Sequence, residues 1–437
     1  MYTTYQKKII ITNVCLIIFI NALSLGMVTP VFPELILNTT SNGLVFNSNI
    51  SQALMYSLCV SAVPMASIVG TPVFSAVAEK HKRMNIVLYG LFGCLLSYVI
   101  ASAAILTHDA WLFLISRVVN GICVGTFAVT NILISDISFD AKERTYNFKL
   151  GMLYNLAGSI IGPVMSLAAM KVKVANPLIH SLLMPYIVAC GLFGMSIIGT
   201  IYCYRQISAN YKLEDIILVN DEFEIKEVFN SVKFMFQSSK CRLVAIVFTV
   251  YQFANGLFVQ GLPAYLAKYL SYTPVQLSYL MIAISMTIMV STYIYDKIEW
   301  LTDINSYQWQ LKVAMLFVGI INIVIFSIGH FIRPPDIQIY HHAIFWVAFM
   351  IIYMLTPIFK FSFNELFANS VEGKDLAIVM GSMPQISQVG GFLSGILVGV
   401  LLTYKDILLF SGISYMLAFI LLIYYFYRHN TYLYKDM

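Results

Sequence analysis

The chain has 437 residues, of which 59% are hydrophobic and only 11% charged, with a mean hydropathy of +0.80. So little polar surface cannot coat a particle in water, which excludes a soluble globular protein and places the chain in a bilayer. The formal net charge of +5 sits on residues that cap apolar runs and form no stripe, so it does not point to nucleic-acid binding.

A bilayer-crossing helix needs about 20 mostly apolar residues, because each residue rises about 1.5 Å across a hydrocarbon core about 30 Å thick. By that measure the sequence predicts six spans, over residues 9–35, 52–77, 84–106, 111–134, 148–170 and 181–204. Six more follow, over residues 243–270, 275–295, 311–332, 343–367, 376–402 and 407–427. Lys7 and Lys8 precede the first of them as in a signal peptide. Its apolar run, however, exceeds the roughly 7 to 15 residues usual there and no small-x-small site closes it, so it reads as a retained helix. The fold class expected is therefore all-α: a polytopic membrane protein with six-helix bundles over residues 1–204 and 243–437 and a cytoplasmic linker over 205–242. That linker mixes Glu214, Asp215, Asp221 and Glu222 with Lys226, Lys233 and Lys240, and its stretch EIKEVFNSVKFMF has the amphipathic pattern of a helix lying at the interface.

Lys and Arg in short loops set orientation. Lys7, Lys8, Lys80, Lys82, Arg83, Lys142, Arg144, the linker and Arg428 fall on one side, whereas residues 38–51 and 107–110 hold no Lys or Arg. Both termini are expected in the cytoplasm. A composition tilted toward Ile, Asn, Lys and Tyr suits an AT-rich genome and a bacterial inner membrane, although Asn38 and Asn49 open glycosylation-type sequons in the outer loop.

Signals for catalysis are missing from the pattern. The seven cysteines, Cys15, Cys59, Cys94, Cys123, Cys190, Cys203 and Cys241, fall in or at the edge of spans with no C-x-x-C or Cys/His grouping, and read as small apolar residues. No metal site, glycine-rich phosphate loop or Ser/His/Asp pattern stands out, so neither an enzyme nor a resident cofactor is expected.

The halves repeat faintly. KER at residues 142–144 precedes Gly151, Gly158 and Gly162, and EGK at 372–374 precedes Gly381, Gly390, Gly391 and Gly395. Asn21 leads to Gly26 and Pro30, and Asn255 to Gly261 and Pro263. Parallel half-repeats with a site between them near the midplane are one plan for a secondary transporter.

Four stretches carry a family resemblance: NALSLGMVTPVFPEL (residues 21–35), TPVFSAVAEKHKR (71–83), RVVNGICVG (117–125) and GSIIGPVMS (158–166). Together they resemble the twelve-helix drug:proton antiporter branch, the tetracycline and multidrug exporters, of the major facilitator superfamily. The resemblance covers nearly the whole chain. It implies a single-chain transporter of a small-molecule substrate, working as a monomer among membrane lipids by alternating access on a proton gradient.

On that resemblance Glu79, Lys80 and Arg83 fall in the loop motif between helices two and three, where Ser75 and Lys82 replace its glycines. Arg117, Gly121 and Gly125 match the fourth-helix motif, with Arg117 a proton-coupling candidate. Gly158, Gly162 and Pro163 match the fifth-helix antiporter motif. Exporters with this first-helix pattern often carry an acid where Asn21 stands, and Asn takes up no proton at physiological pH. Glu34 and Asp136 are therefore the further proton-coupling candidates, Asp136 also as a partner for a basic residue at the intracellular gate.

Arg117 inside a span is expensive, and it reads either as an interfacial or packing residue or as part of the coupling machinery, with Asn120 on its helix face. Lys360 reads either as a snorkelling residue or as a cavity cation. Asn21, Asn120, Tyr154, Asn155, Gln252, Asn255, Gln385 and Gln388 complete a substrate-cavity set; buried amides also tie helices together for roughly 0.6 kcal/mol each. Export of small amphipathic compounds in exchange for protons is the leading expectation. Import of an amino acid or similar metabolite, by symport or facilitated flux, is the alternative that the missing acid and Lys360 favour.

Overall fold

The computed structural model describes residues 4–37, 43–45, 51–80, 82–138, 140–172, 181–208, 233–238, 241–298, 306–331, 338–370 and 374–433. Among these the structure is helical, without a strand; one isolated bridge joins Val45 and Asp109. The described helices long and apolar enough to cross a membrane number twelve, from Tyr5–Val28 to Ile407–Arg428. The sequons at Asn38 and Asn49, and most of the expected linker helix, lie outside the described residues.

Two compact units are present: Met1–Ile225 with Ala267–Ile282, and Lys226–Leu266 with Ala283–Met437. The first contains α1 (Thr4–Val28), α2 (Phe32–Leu37), α3 (Gln52–Lys80), α4 (Arg83–Thr107), α5 (Ala110–Cys123), α6 (Thr126–Ile137), α7 (Ala141–Lys171) and α8 (Met184–Ser208). The predicted first span, 9–35, is corrected here: α1 stops at Val28 and a separate α2 follows the turn at residues 29–31. Pro30, in the turn, and Pro33, in the first turn of α2, both lack a backbone N–H, which suits them to a break in the helix. The fourth span is likewise interrupted, at Val124 and Gly125.

Polar caps start two helices. The Asp109 carboxylate accepts from the backbone N–H groups of Trp111 and Leu112 at 2.8 and 3.2 Å, opening α5. That of Asp140 accepts from the Glu143 N–H at 2.6 Å, which starts α7 seven residues ahead of the expected span. Glycines then set how closely helices approach. A Cβ on Gly158 would lie 2.5 Å from the Phe19 carbonyl oxygen, and one on Gly162 2.5 Å from that of Leu23, so α7 lies against the backbone of α1. Gly121 of α5 and Gly125, between α5 and α6, do the same against α3, where a Cβ would lie 2.5 Å from the Val63 oxygen and 2.7 Å from that of Gly70.

The second unit contains α9 (Arg242–Tyr269) up to Leu266, the later part of α10 (Pro274–Ile298), α11 (Ser306–Phe331), α12 (Gln338–Met354), α13 (Thr356–Ala368), α14 (Lys374–Tyr404) and α15 (Ile407–Leu433). Its core is aromatic. Tyr251 of α9 meets Phe359 and Phe363 of α13 at 4.8 and 4.9 Å between ring centres, and Tyr415 of α15 at 6.0 Å. The tenth span, expected to be one helix, is interrupted at Leu355, two residues before Pro357.

Candidate substrate and coupling site

In the first unit, Arg117 stands about 10 Å along the fourth span from Ala110. Its guanidinium lies over the Phe32 ring, 5.4 Å from the centroid, an attraction between a cation and the negative face of the ring. Phe32 in turn meets Tyr56 at 5.2 Å and Phe113 at 5.7 Å, and Phe113 meets Tyr186 at 6.0 Å. Tyr186 also lies beside Tyr98, with 6.4 Å between ring centres. No carboxylate forms an ion pair with Arg117 among the described residues. One turn on, Asn120 donates from Nδ2 to Ser97 Oγ at 3.1 Å, tying α5 to α4.

The acids are dispersed. Glu34 is half-buried on α2, two residues from the ring that Arg117 covers. Asp136 is exposed near the end of α6 and forms an ion pair with Arg83 at the start of α4. Glu79 and Lys80 close α3, and their side chains lie outside the described residues. Lys7 of α1 pairs with Glu143 of α7 at 3.6 Å; the sequence pattern flagged Lys7 only as an orientation signal, because nothing in a single chain shows which helices neighbour each other.

Among the first-unit cavity candidates, Asn21 is half-buried on α1, Tyr154 of α7 sets its ring edge-on to Phe19 at 6.4 Å, and Asn155 is exposed. Gly158, Gly162 and Pro163 form the contact with α1 around Gly26. In the second unit Asn255 Oδ1 accepts from the Tyr415 hydroxyl at 3.4 Å, and Gln252 lies against Gly390, where a Cβ would be 2.7 Å from the Gln252 Cβ. Gln385 and Gln388 are half-buried on α14. Lys360 is exposed on α13 between two packed rings, Phe359 against Tyr251 and Phe361 stacked on Tyr295 at 5.1 Å. Gln260, absent from the expected set, donates to the Gly391 carbonyl at 3.1 Å and joins α9 to α14.

A groove of about 410 Å³ between α11 and α12 is lined by Ile, Val and Ala alone. It offers no polar group to orient a polar substrate. The tyrosine shell around Arg117 was also missed at the sequence level: its members come from separate helices, and an isolated Tyr in an apolar run carries no sign of what it faces.

Residues 14–359 match the family model described as Major Facilitator Superfamily. Over 161 residues, 37% of each chain, the sequence is 31% identical to the class H tetracycline resistance protein of Pasteurella multocida. Over 151 residues, 34% of this chain and 35% of the other, it is 28% identical to the class G protein of Vibrio anguillarum. Both matches thus span about a third of those relatives. In overall fold the chain is similar to a D-xylose–proton symporter (TM-score 0.69, 12% identity, 94% of this chain and 97% of that one). It is also similar to a bacterial homologue of the iron transporter ferroportin in an inward-facing state (TM-score 0.69, 12% identity, 97% and 99%). A human organic anion transporter matches with a TM-score of 0.62 at 15% identity, over 95% and 99%.

Proposed function

The chain belongs to the Major Facilitator Superfamily and is a transmembrane transporter rather than an enzyme, and from that premise we propose that it exports small amphipathic compounds in exchange for protons. The observation that carries export is the 31% identity to a tetracycline resistance protein. Coupling is supported by Arg117, a membrane-embedded cation with no carboxylate ion-paired to it among the described residues, since such groups in spans mark ion and proton pathways. Glu34 is the proposed proton carrier: it is a carboxylate on the same short helix as the ring beneath Arg117. The protein works as a single chain, in a bacterial inner membrane, with both termini in the cytoplasm.

A second reading is uptake of a small metabolite, favoured by Asn21, which carries no proton. Purified protein in liposomes with a pH-sensitive dye inside separates the two. Under an imposed pH gradient, addition of a lipophilic cation or tetracycline is expected to move protons opposite to the compound, and Glu34→Gln and Arg117→Ala to abolish that signal while leaving the protein folded. Protons entering together with an amino acid would overturn export. Substrate flux without proton movement would leave a facilitator.

A further inference from the structure

Among the described residues no carboxylate forms an ion pair with Arg117. Its Nε is buried without a hydrogen-bond partner, and so is the hydroxyl of Tyr186, a side chain only 1% exposed. Buried polar atoms are almost always partnered, and two orphans at one locus ask for a common explanation. Both lie in one cluster. Arg117 covers Phe32, Phe32 meets Phe113, and Phe113 meets Tyr186, whose ring lies 6.4 Å from that of Tyr98. Tyr56 and Tyr98, which complete the cluster, are 2% and 5% exposed.

We propose that the first unit holds an anion site between the Arg117 guanidinium and the Tyr186 hydroxyl, and that its occupant is a single small inorganic anion of halide size. Guanidinium N–H groups are donors only, and a phenol hydroxyl turns to donate to a negative charge. An anion therefore satisfies both orphan atoms at once and neutralises a cation that no carboxylate pairs with among the described residues. Packing bears on size. The surrounding rings lie 5.2 to 6.0 Å apart between centres and each is more than nine-tenths buried, which favours the smallest occupant, an ion of one atom, over a carboxylate-bearing organic molecule. The shell draws on α2, α3, α4, α5 and α8, so an ion here ties five helices of this unit together. It bears on stability whether the cargo is a drug or a nutrient.

The test reads thermal unfolding of the full-length protein in detergent or nanodiscs, at constant ionic strength, with chloride or bromide replacing gluconate. A saturable rise in Tm of roughly 2–4 °C is expected with either halide, and acetate is expected to match gluconate. Tyr186→Phe deletes only the hydroxyl and should fold; its expected effect is to weaken halide stabilisation several-fold in apparent Kd. Arg117→Gln should abolish it. Equal Tm values in chloride and gluconate would overturn the proposal and leave water at the orphan atoms. Halide stabilisation unchanged in Tyr186→Phe would overturn it too, by placing the ion elsewhere. A response to acetate equal to that to chloride would replace the halide with a carboxylate group and refute the size argument. None of these readings depends on transport, so they stand apart from the test of export.

Discussion

At the scale of single residues, the energetics separate side chains that look alike in sequence. Asn322 of α11 is fully buried; its Nδ2 donates to the Val318 carbonyl at 2.9 Å, but its Oδ1 has no partner among the described residues. A buried acceptor without a donor costs about 1–3 kcal/mol. Asn322→Leu, which keeps the branching at Cγ and removes the polar atoms, is therefore expected to leave Tm unchanged or raise it, and a destabilisation beyond about 1 kcal/mol would mean that Oδ1 holds a partner after all. Arg83 and Asp136 present the opposite case. Their side chains are 30% and 42% exposed, so solvent screens the pair and a double-mutant cycle on stability should return a coupling of only about 0.2–1 kcal/mol. A much larger value would show the pair desolvated in the membrane-bound protein. The sequence pattern raised Asp136 as a partner for some basic residue, yet which one was illegible, since Lys82, Arg83, Lys142 and Arg144 all lie in nearby loops.

At the scale of elements, hydropathy located the spans because every backbone group in lipid must bond within its own segment, and only helices do that locally. Interruptions were not legible for a specific reason. Pro64, Pro72, Pro163, Pro263 and Pro384 all sit inside continuous helices, whereas Pro357 lies just past a break. Proline removes a donor wherever it stands; whether the helix parts depends on packing that one chain's pattern does not reveal. Pro357→Ala returns an N–H to the Tyr353 carbonyl and removes the ring that crowds it. The variant is expected to show a higher Tm and a slower transport rate, and unchanged values of both would make the break a consequence of packing alone. Glycine contacts are the converse case, where motif and structure coincide. With a Cβ on Gly162 2.5 Å from the Leu23 oxygen, Gly162→Leu must push α7 off α1, at an expected cost of about 1–3 kcal/mol in thermal or denaturant unfolding. The motif marked the helix; that its partner is α1 came only from the fold.

At the scale of the whole molecule, orientation is the property that composition argues most directly and that impermeant labelling checks. The segments over residues 38–51 and 107–110 hold no Lys or Arg, while residues 80–83 and 142–144 together hold five. Positive charge is retained on the cytoplasmic side during insertion, so the bias predicts the direction of the first spans and, with twelve described candidate spans, both termini in the cytoplasm. The native cysteines favour the experiment: six of the seven are buried, Cys190 is half-buried, and all lie in or at the edge of helices rather than in the outer loops. Val45→Cys, at a position 59% exposed in the segment after α2, is accordingly expected to react with a membrane-impermeant maleimide in intact cells, over a low background. Lys142→Cys should react only once the cells are opened. Reversal of the two would invert the topology, and with it the side from which Arg117, about 10 Å from the Ala110 end of its span, is reached by water and by ions. Labelling of both sites in intact cells would instead mean that the charge bias does not fix one orientation, which would remove the basis for assigning transport a direction from the gradient imposed on liposomes.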